Sequence, residues 1–354
     1  MYQEKVPTVI IIGAGPGGLT LYHSLIKNKD KKEFNVKIFE RESGPKVQWG
    51  KKLVRYVETN EGVWVNFEDG SQEFCDILVD ASGVNSPVRK QKLPELQIND
   101  IGATYVVANI VVPKHLMDRL TKTSGNSLVQ KTLGLNGDAT LIAFRLISIE
   151  QEQNYENKNN SDELHYRTTI AYFYSSELDN DETEKIKVDD NNPASVVEHV
   201  KNMIRKLRPE NEMTNILLEL WDLAPKAVPK ESENYPFKTY NPIQRRQIRD
   251  INPLTINSWT SSRVTLIGDA AHAMSPLLGL GTTHAIQDAE ALSQALFNYS
   301  PENYISCIKE YENKIDATIN HITPVGYFGL IIRNSVLKTT NFLMKVRDLV
   351  MNII

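Results

Sequence analysis

A glycine-rich segment near the N-terminus is the first place where residue types and spacing could do chemistry. It reads Gly13-Ala14-Gly15-Pro16-Gly17-Gly18. Gly13 permits a tight turn, Gly15 lets the backbone approach a pyrophosphate, and Gly18 lets a helix and a strand pack closely. The free N–H groups and the positive dipole end of the following helix favour phosphate. The segment therefore predicts a dinucleotide site, and a glycine-rich turn without a ligand is the structural alternative.

An acidic residue lies at the distance that such a site requires. Glu40 ends the second strand pattern, about 20 positions beyond the glycines. A carboxylate there can accept hydrogen bonds from the adenosine ribose. Arg41 follows it directly, and we expect both residues to contact the cofactor. A solvated charge at a strand end is the alternative interpretation of Glu40.

A second loop late in the chain carries another candidate contact. It reads Gly268-Asp269-Ala270-Ala271-His272-Ala273-Met274-Ser275-Pro276, and Gly279-Leu280-Gly281-Thr282-Thr283-His284 follows. Asp269 is a short carboxylate at a strand end that can reach a ribityl hydroxyl, and the next helix offers N–H groups to a flavin ring edge or a phosphate. We expect His272 to pack or to cap this turn and to take no part in catalysis. A second loop of this kind separates a flavin protein from a simple NAD dehydrogenase.

The elements that must position these loops can be predicted from periodicity. Thr8–Ile12 is an apolar β-branched run, a helical pattern covers 19–26, and Val36–Phe39 is a second strand, which together predict a βαβ unit. Three further strand patterns, separated by turn residues, predict an antiparallel meander at Leu53–Glu58, Val63–Phe67 and Phe74–Asp80.

The middle of the chain predicts a second sheet before the pattern returns to the nucleotide domain. Its strands are expected at Thr104–Val112, 139–147 and Tyr166–Tyr174, followed by helices at 195–207 and 213–220. The strand Val264–Ile267 and a helix over 284–297 complete the nucleotide domain. We expect an α/β fold with a nucleotide domain at 1–100 and 243–320, an inserted domain at 101–242 and a helical segment at 321–354.

Composition limits the classes of function. The chain has 354 residues, a net charge of -4 and two cysteines. This charge does not favour nucleic acid as a partner, and two cysteines do not favour a disulfide framework or a cysteine-built metal site. The N-terminus lacks the pattern of a secretory signal, so we expect a cytoplasmic location. Residues 321–354 predict a helix packed on the domains, and an interfacial amphipathic helix with peripheral membrane contact is the alternative.

The pairing of the two glycine-containing motifs resembles a known family. Gly13–Gly18 near the N-terminus and Gly268–Pro276 late in the chain are similar to the flavoprotein monooxygenases that include para-hydroxybenzoate hydroxylase and salicylate hydroxylases. The resemblance covers 8–41, 47–95 and 243–312. It implies a Rossmann-type FAD-binding domain with an inserted mixed or antiparallel-sheet substrate domain. It also implies hydroxylation or epoxidation of an aromatic or other apolar small molecule, with FAD as cofactor and NAD(P)H and O₂ as co-substrates.

The same resemblance implies roles for individual residues. Gly13, Gly15, Gly18 and Glu40 match the contacts to the ADP part of FAD. Asp269 matches the aspartate on the ribityl chain. The residues that match the lining of the isoalloxazine ring are Pro276, Gly279, Gly281, Thr282 and Thr283. No residue is identified as an acid or base for the substrate.

Two departures from the family leave alternatives open. Ser82 replaces the aspartate of an Asp-Gly pair in a middle motif spanning Asp80–Arg89, and a hydroxyl carries no charge. Between Glu40 and Val47 the chain has only residues 41–46, where the family has several tens of residues, so a segment after Glu42 is predicted to be missing. These departures favour a weakly active or non-catalytic flavin-binding remnant as an alternative to an active monooxygenase. Another flavin oxidoreductase of the same fold is a separate alternative. The oligomeric state is left open.

Overall fold

The computed structural model describes residues 5–41, 48–125, 129–134, 138–145, 165–180, 188–227, 243–252, 260–274 and 280–314. These residues divide into two compact units. One comprises the described residues up to Ile101 together with those from Arg249 onward, and the other runs from Gly102 through Ile248.

The described chain alternates strands and helices. The strands are β1 (Thr8–Ile12), β2 (Asn35–Glu40), β3 (Gln48–Trp49), β4 (Leu53–Glu58), β5 (Val63–Phe67), β6 (Gln72–Cys75), β7 (Ile77–Asp80), β8 (Gln97–Pro113), β9 (Val129–Leu133), β10 (Ala139–Arg145), β11 (His165–Ser175), β12 (Ile243–Asn252) and β13 (Val264–Leu266). The helices are α1 (Pro16–Lys27), α2 (Pro87–Lys92), α3 (Lys114–Ser124), α4 (Pro193–Leu207), α5 (Glu212–Asp222), α6 (Asp269–His272), α7 (Gly281–Leu296) and α8 (304–314), with a 3₁₀ turn at Ser176–Asn180.

A parallel sheet with the strand order β13-β7-β1-β2-β3 forms the centre of the first unit. Both faces of β1 are covered: Val9 and Ile11 pack with residues of α1 and α7, and Ile10 packs with the three-stranded sheet β4-β5-β6. Strands buried on both faces are continuous apolar runs, as the sequence of β1 is. The predicted βαβ beginning and the α/β fold class are confirmed.

The prediction of a meander ending at Phe74–Asp80 is wrong for its last part. β4 and β5 have the predicted bounds and pair antiparallel, but the third run is two strands. β6 closes the antiparallel sheet, whereas β7 lies between β1 and β13 in the parallel sheet. The break is at Asp76, whose backbone N–H donates to the Thr8 carbonyl over 2.9 Å and whose carboxylate accepts from the Thr8 N–H over 2.7 Å. Every residue of β7 is buried, as expected of an interior parallel strand.

The connection from β2 to β3 is short for a parallel pair. Phe39 pairs with Gln48 and Glu40 with Trp49, and seven residues, 41–47, join the two strands. Parallel neighbours usually need a crossover of about a dozen residues or more. Residues 42–47 lie outside the described residues, so the predicted loss of a segment after Glu42 stays a prediction.

The second unit is a sheet covered by helices. Its strand order is β12-β8-β11-β10-β9, and the pairs β8–β11, β11–β10 and β10–β9 are antiparallel. One apolar core joins the sheet to α3, α4 and α5, and its largest buried side chains include Tyr172 and Trp221. The predicted strands and helices of this region are present, and α3, β9 and β12 were not predicted.

The C-terminal segment 321–354 lies outside the described residues, so its helix and its membrane contact stay predictions. Within the described ranges, no helix combines the length and the apolar character needed to cross a membrane.

Candidate functional site

The carboxyl edge of the parallel sheet opens into a cleft of about 880 Å³. The loops after β1, β2, β7 and β13 and the start of α7 line it. Open α/β sheets bind ligands at this edge, and the volume is at the upper end of the range for small-molecule sites.

Two glycines of the first loop are required by the fold itself. Gly13 has a φ of 103°, and a Cβ there would lie 2.4 Å from the Ala81 carbonyl oxygen. A Cβ on Gly18 would lie 2.0 Å from the Gly13 carbonyl oxygen. Both distances are far below van der Waals contact, so the tight turn and the close packing of α1 exclude any side chain. The structural roles predicted for Gly13 and Gly18 are therefore present.

Gly15 differs from these two glycines. A Cβ there would meet no atom within 4 Å, and Gly15 lines the cleft. It is also the N-cap of α1, where no side chain caps the helix and no acidic residue occupies the first turn. Free N–H groups and the positive end of the helix dipole thus lie beside open space. No protein atom fills the space beside Gly15, so that space is available to a ligand.

Glu40 lies where the sequence predicted, and it also holds the glycine loop. Its carboxylate accepts from the Ala14 N–H over 2.9 Å and from the Arg41 N–H over 2.8 Å. Glu40 and Arg41 both line the cleft. One carboxylate therefore fixes the turn after β1 and forms part of the wall of the cleft.

The turn after β13 presents Asp269 to the same cleft. Asp269 is exposed to the cleft, yet the surrounding walls desolvate its carboxyl group and raise its pKa; His272 lowers this pKa and Asp288 raises it. His272 is buried, and its Nε2 lies 2.5 Å from Asp288 Oδ2. The prediction that His272 packs within the turn is confirmed.

The middle motif keeps a carboxylate, but that carboxylate faces inward. Asp80 is fully buried and accepts from the Ser82 N–H over 3.1 Å and from the Ser86 hydroxyl. Burial raises the pKa of Asp80. Arg89 donates to the Ala270 carbonyl over 3.0 Å, which joins this motif to α6. Asp80 therefore shapes the loop and cannot supply the charge that Ser82 lacks at the cleft.

The structure brings most of the predicted site residues to one cleft. Those that line it are Gly13, Ala14, Gly15, Pro16, Gly17, Glu40, Arg41, Asp269, Gly281 and Thr282. Gly18 and Thr283 lie in α1 and α7 but do not line the cleft, and Pro276 and Gly279 lie outside the described residues.

Sequence analysis missed several lining residues. They are Lys51, Lys52, Ser82, Asn85, Lys90 and Met274. Ser82 and Asn85 belong to the middle motif, which was a usable signal. The lysines carried none, because only the tertiary fold brings β4 and α2 to the cleft. The Ser82 hydroxyl is buried and has no hydrogen-bond partner in the described part of the chain, so it can bond to a ligand.

These features fit a dinucleotide cofactor. The cleft has space at Gly15 beside a helix N-terminus, a carboxylate at each of two strand ends, an unused hydroxyl at Ser82, and cations at its rim. An anionic pyrophosphate with ribose and ribityl hydroxyls matches this set of donors and acceptors.

Comparison with known families agrees with the chemistry of the cleft. The family model described as FAD binding domain matches residues 124–322, which is more than half of the chain. The chain belongs to this FAD-binding family. The match lies outside the N-terminal glycine loop, so that loop adds a separate indication of the cofactor.

Two proteins similar in sequence to this chain are named FAD-dependent monooxygenases. The chain is 27% identical over 276 residues to the FAD-dependent monooxygenase thnD of Trichoderma harzianum, covering 76% of this chain and 58% of that protein. It is 25% identical over 260 residues to the FAD-dependent monooxygenase adaC of Aspergillus niger, covering 71% and 54%. The chain thus spans little more than half the length of these relatives.

Solved structures of similar fold include flavin proteins. A structure described as an FAD-containing monooxygenase from Photorhabdus luminescens has a TM-score of 0.65 at 21% identity and covers 95% of this chain and 98% of its own. The 2,6-dihydroxypyridine-3-hydroxylase of Arthrobacter nicotinovorans has a TM-score of 0.63 at 15% identity, covering 91% and 92%. At these identities the likeness shows the fold, and it is the fold predicted from the sequence.

Proposed function

We propose that this chain is an FAD-dependent monooxygenase that uses NAD(P)H and O₂ to hydroxylate or epoxidise an aromatic or other apolar small molecule. The observation that supports this most is the single cleft that joins the uncapped N-terminus of α1, Glu40 and Asp269 at the carboxyl edge of the sheet. The names of the relatives support the reaction type.

Each site residue predicted from the sequence has a proposed part in holding FAD. Gly13, Ala14, Gly15, Pro16 and Gly17 would receive the pyrophosphate, with Gly18 permitting their approach. Glu40 and Arg41 would hold the adenosine ribose, and Asp269 the ribityl chain. The proposed lining of the ring is Pro276, Gly279, Gly281, Thr282 and Thr283.

When bound, FAD would supply the redox chemistry, accepting hydride from NAD(P)H and activating O₂. The chain's own residues would bind FAD and orient it. The N–H groups of the first turn of α1 would stabilise the negative charge of the pyrophosphate, and Asp269 would accept hydrogen bonds from the ribityl hydroxyl groups.

We also propose domain limits and partners for the chain. We propose an FAD-binding domain at 1–100 and 243–320, a substrate domain at 101–242 and a C-terminal helical segment at 321–354. The partner is a small organic molecule, and the C-terminal segment is the candidate for membrane contact.

A second candidate is a flavin-binding protein with little or no oxygenation activity. The seven-residue connection between β2 and β3 favours it, because a crossover of ordinary length would add structure beside the cleft. A cofactor covered on fewer sides admits water, which diverts activated oxygen to hydrogen peroxide.

One experiment separates the two candidates. The purified chain is loaded with FAD, and NADH or NADPH oxidation, O₂ uptake and peroxide are measured with and without a panel of phenols. Incorporation of ¹⁸O into an organic product supports the monooxygenase. NAD(P)H oxidation that ends in peroxide with every phenol supports the second candidate. A chain that retains no FAD contradicts both.

The Asp269→Ala variant tests the proposed ribityl contact. Loss of a hydrogen bond to a charged group should weaken FAD binding by about 1–3 kcal/mol. Asp30→Ala, an exposed acid in the same unit, is the matched control. Equal FAD affinity in Asp269→Ala and the control would contradict the assignment.

A further inference from the structure

One buried carboxylate oxygen at the end of the cleft near Asp269 has two donors. Oδ2 of Asp288, on α7, accepts from the Gly268 N–H over 2.8 Å and pairs with His272 Nε2 at 2.5 Å. Gly268 and His272 flank Asp269 on the turn after β13, and Asp288 and His272 are 5% and 7% exposed. A single side chain of α7 therefore holds both sides of the turn that carries Asp269.

The start of α7 also lies against Asp269. A Cβ on Gly281, the first residue of α7, would be 3.7 Å from Asp269 Oδ1. The turn itself needs support, because Gly268 has a φ of 59° and its carbonyl accepts from the N–H groups of both Ala271 and His272. Helix α7 thus meets this turn in two places, at Gly281 beside Asp269 and at Asp288, which bonds to Gly268 and His272.

Charge at this place depends on His272. Burial lowers the pKa of His272, but its hydrogen bond to Asp288 and the charges of Asp288 and Asp269 outweigh burial, so the pKa lies above the ordinary value of 6.5. When protonated, His272 is a cation between two carboxylates. When it is neutral, the repulsion between the charges of Asp288 and Asp269 lacks this compensating cation.

Other groups face this cluster from the surrounding elements. His284 on α7 meets the His272 ring edge-to-face at 6.4 Å between ring centroids. Tyr311 on α8 donates to the Leu266 carbonyl, and its pKa is raised well above the ordinary value by burial and by the nearby acids Asp288 and Glu312. The Arg89 guanidinium reaches α6 at Ala270. Among the described residues, none of these groups pairs with Asp288, so His272 is the cation that compensates it.

We infer that His272 and Asp288 are positioning residues for the cofactor: their imidazolium–carboxylate pair holds the turn that presents Asp269 to the ribityl chain, so FAD affinity falls when His272 loses its proton. This inference rests on the proposed function, since it assigns Asp269 to FAD. A histidine that only fills space would leave the pH dependence of FAD binding unchanged when Asp288 loses its charge.

The test is the dissociation constant of FAD across about pH 6 to 9.5, which spans the range of a histidine with a raised pKa. Binding is followed by quenching of flavin fluorescence in the wild type, Asp288→Asn, His272→Gln and the control Glu290→Gln. Glu290 is an exposed acid on the same helix.

We expect the wild type and Glu290→Gln to lose affinity about tenfold on the alkaline side, the scale of one charge-assisted contact. In Asp288→Asn the amide oxygen can still accept from the Gly268 N–H, but the alkaline loss of FAD affinity should occur at a lower pH. In His272→Gln the alkaline loss of FAD affinity should be absent.

Unfolding of the FAD-free proteins provides an independent readout. A histidine whose pKa is raised by folding stabilises the protein at low pH, and this stabilisation is lost as pH rises through the raised value. Wild-type stability should therefore fall on the alkaline side, and less so in Asp288→Asn.

The outcomes separate the two proposals. This inference alone would be overturned by either of two results. One is an alkaline loss of FAD affinity at the same pH in the wild type and Asp288→Asn, and the other is an alkaline loss that persists in His272→Gln. No FAD binding by the wild type at any pH would overturn the proposed function and the role of the pair toward the cofactor together.

Discussion

Gly15→Val is the substitution for which the structure predicts the clearest separation of binding from stability. Gly15 has an extended backbone, with φ -74° and ψ -176°, which valine adopts without strain. Since a Cβ there meets no protein atom within 4 Å, the side chain adds no clash in the FAD-free protein. The remaining cost is the loss of a favourable N-cap residue, about 1 kcal/mol.

The cost to FAD binding should be larger. The valine methyl groups would occupy the space beside the first turn of α1, where the pyrophosphate is proposed to lie. Losing two hydrogen bonds from N–H groups to a charged phosphate costs at least about 3 kcal/mol, which is more than a hundredfold in affinity. The assay combines FAD titration by fluorescence with urea unfolding of the FAD-free protein.

Gly18→Ala is the matched comparison from the same motif. Its Cβ would lie 2.0 Å from the Gly13 carbonyl oxygen, so the helix must move away from the strand. We expect a loss of about 1–3 kcal/mol in the free energy of unfolding, typical of overpacking. If Gly15→Val bound FAD as tightly as the wild type, or unfolded as readily as Gly18→Ala, the assignment of the space at Gly15 to a ligand would be wrong.

Three further predictions follow from particular contacts. Arg208→Met should leave the fully buried Asp138 carboxylate without its ion-pair partner and destabilise the protein by about 3–5 kcal/mol in urea unfolding; an unchanged midpoint would refute this. Burial raises the pKa of Asp250 to about 6, so its ionised form opposes folding at higher pH. Asp250→Asn should then be more stable than the wild type at neutral pH, with the difference shrinking as the pH falls toward about 4; a difference independent of pH would count against it. Inserting a family-length segment after Glu42 should raise FAD content and the ratio of oxygenated product to peroxide, and equal values in the two proteins would make the short connection a native feature.

Local pattern was enough to predict several elements of the first unit. The β-branched run Thr8–Ile12, the glycine turn and the following helix have the predicted places, and Leu53–Glu58 and Val63–Phe67 have the predicted bounds. These features depend on residue periodicity and on backbone conformations that only glycine adopts freely, and both are properties of neighbouring residues.

The same kind of information predicted the candidate site as a set of loops. Each loop follows a strand, and parallel strands bring their carboxyl ends to one edge. Gly13, Glu40 and Asp269 could therefore be expected to share a cleft before any coordinates were known.

Tertiary structure decided what periodicity could not. The run Phe74–Asp80 looks continuous, and its division arises from the hydrogen bonds of Asp76 to Thr8, 68 residues away. Asp80 ends a strand at the same edge of the sheet as Glu40, yet the fold buries it and its carboxylate accepts from the Ser86 hydroxyl. The sequence near His272 indicates no partner for its ring, and the fold provides one by placing Asp288 of α7 against it. Burial and hydrogen bonding across such separations depend on which elements pack together, and that information is absent from the local sequence.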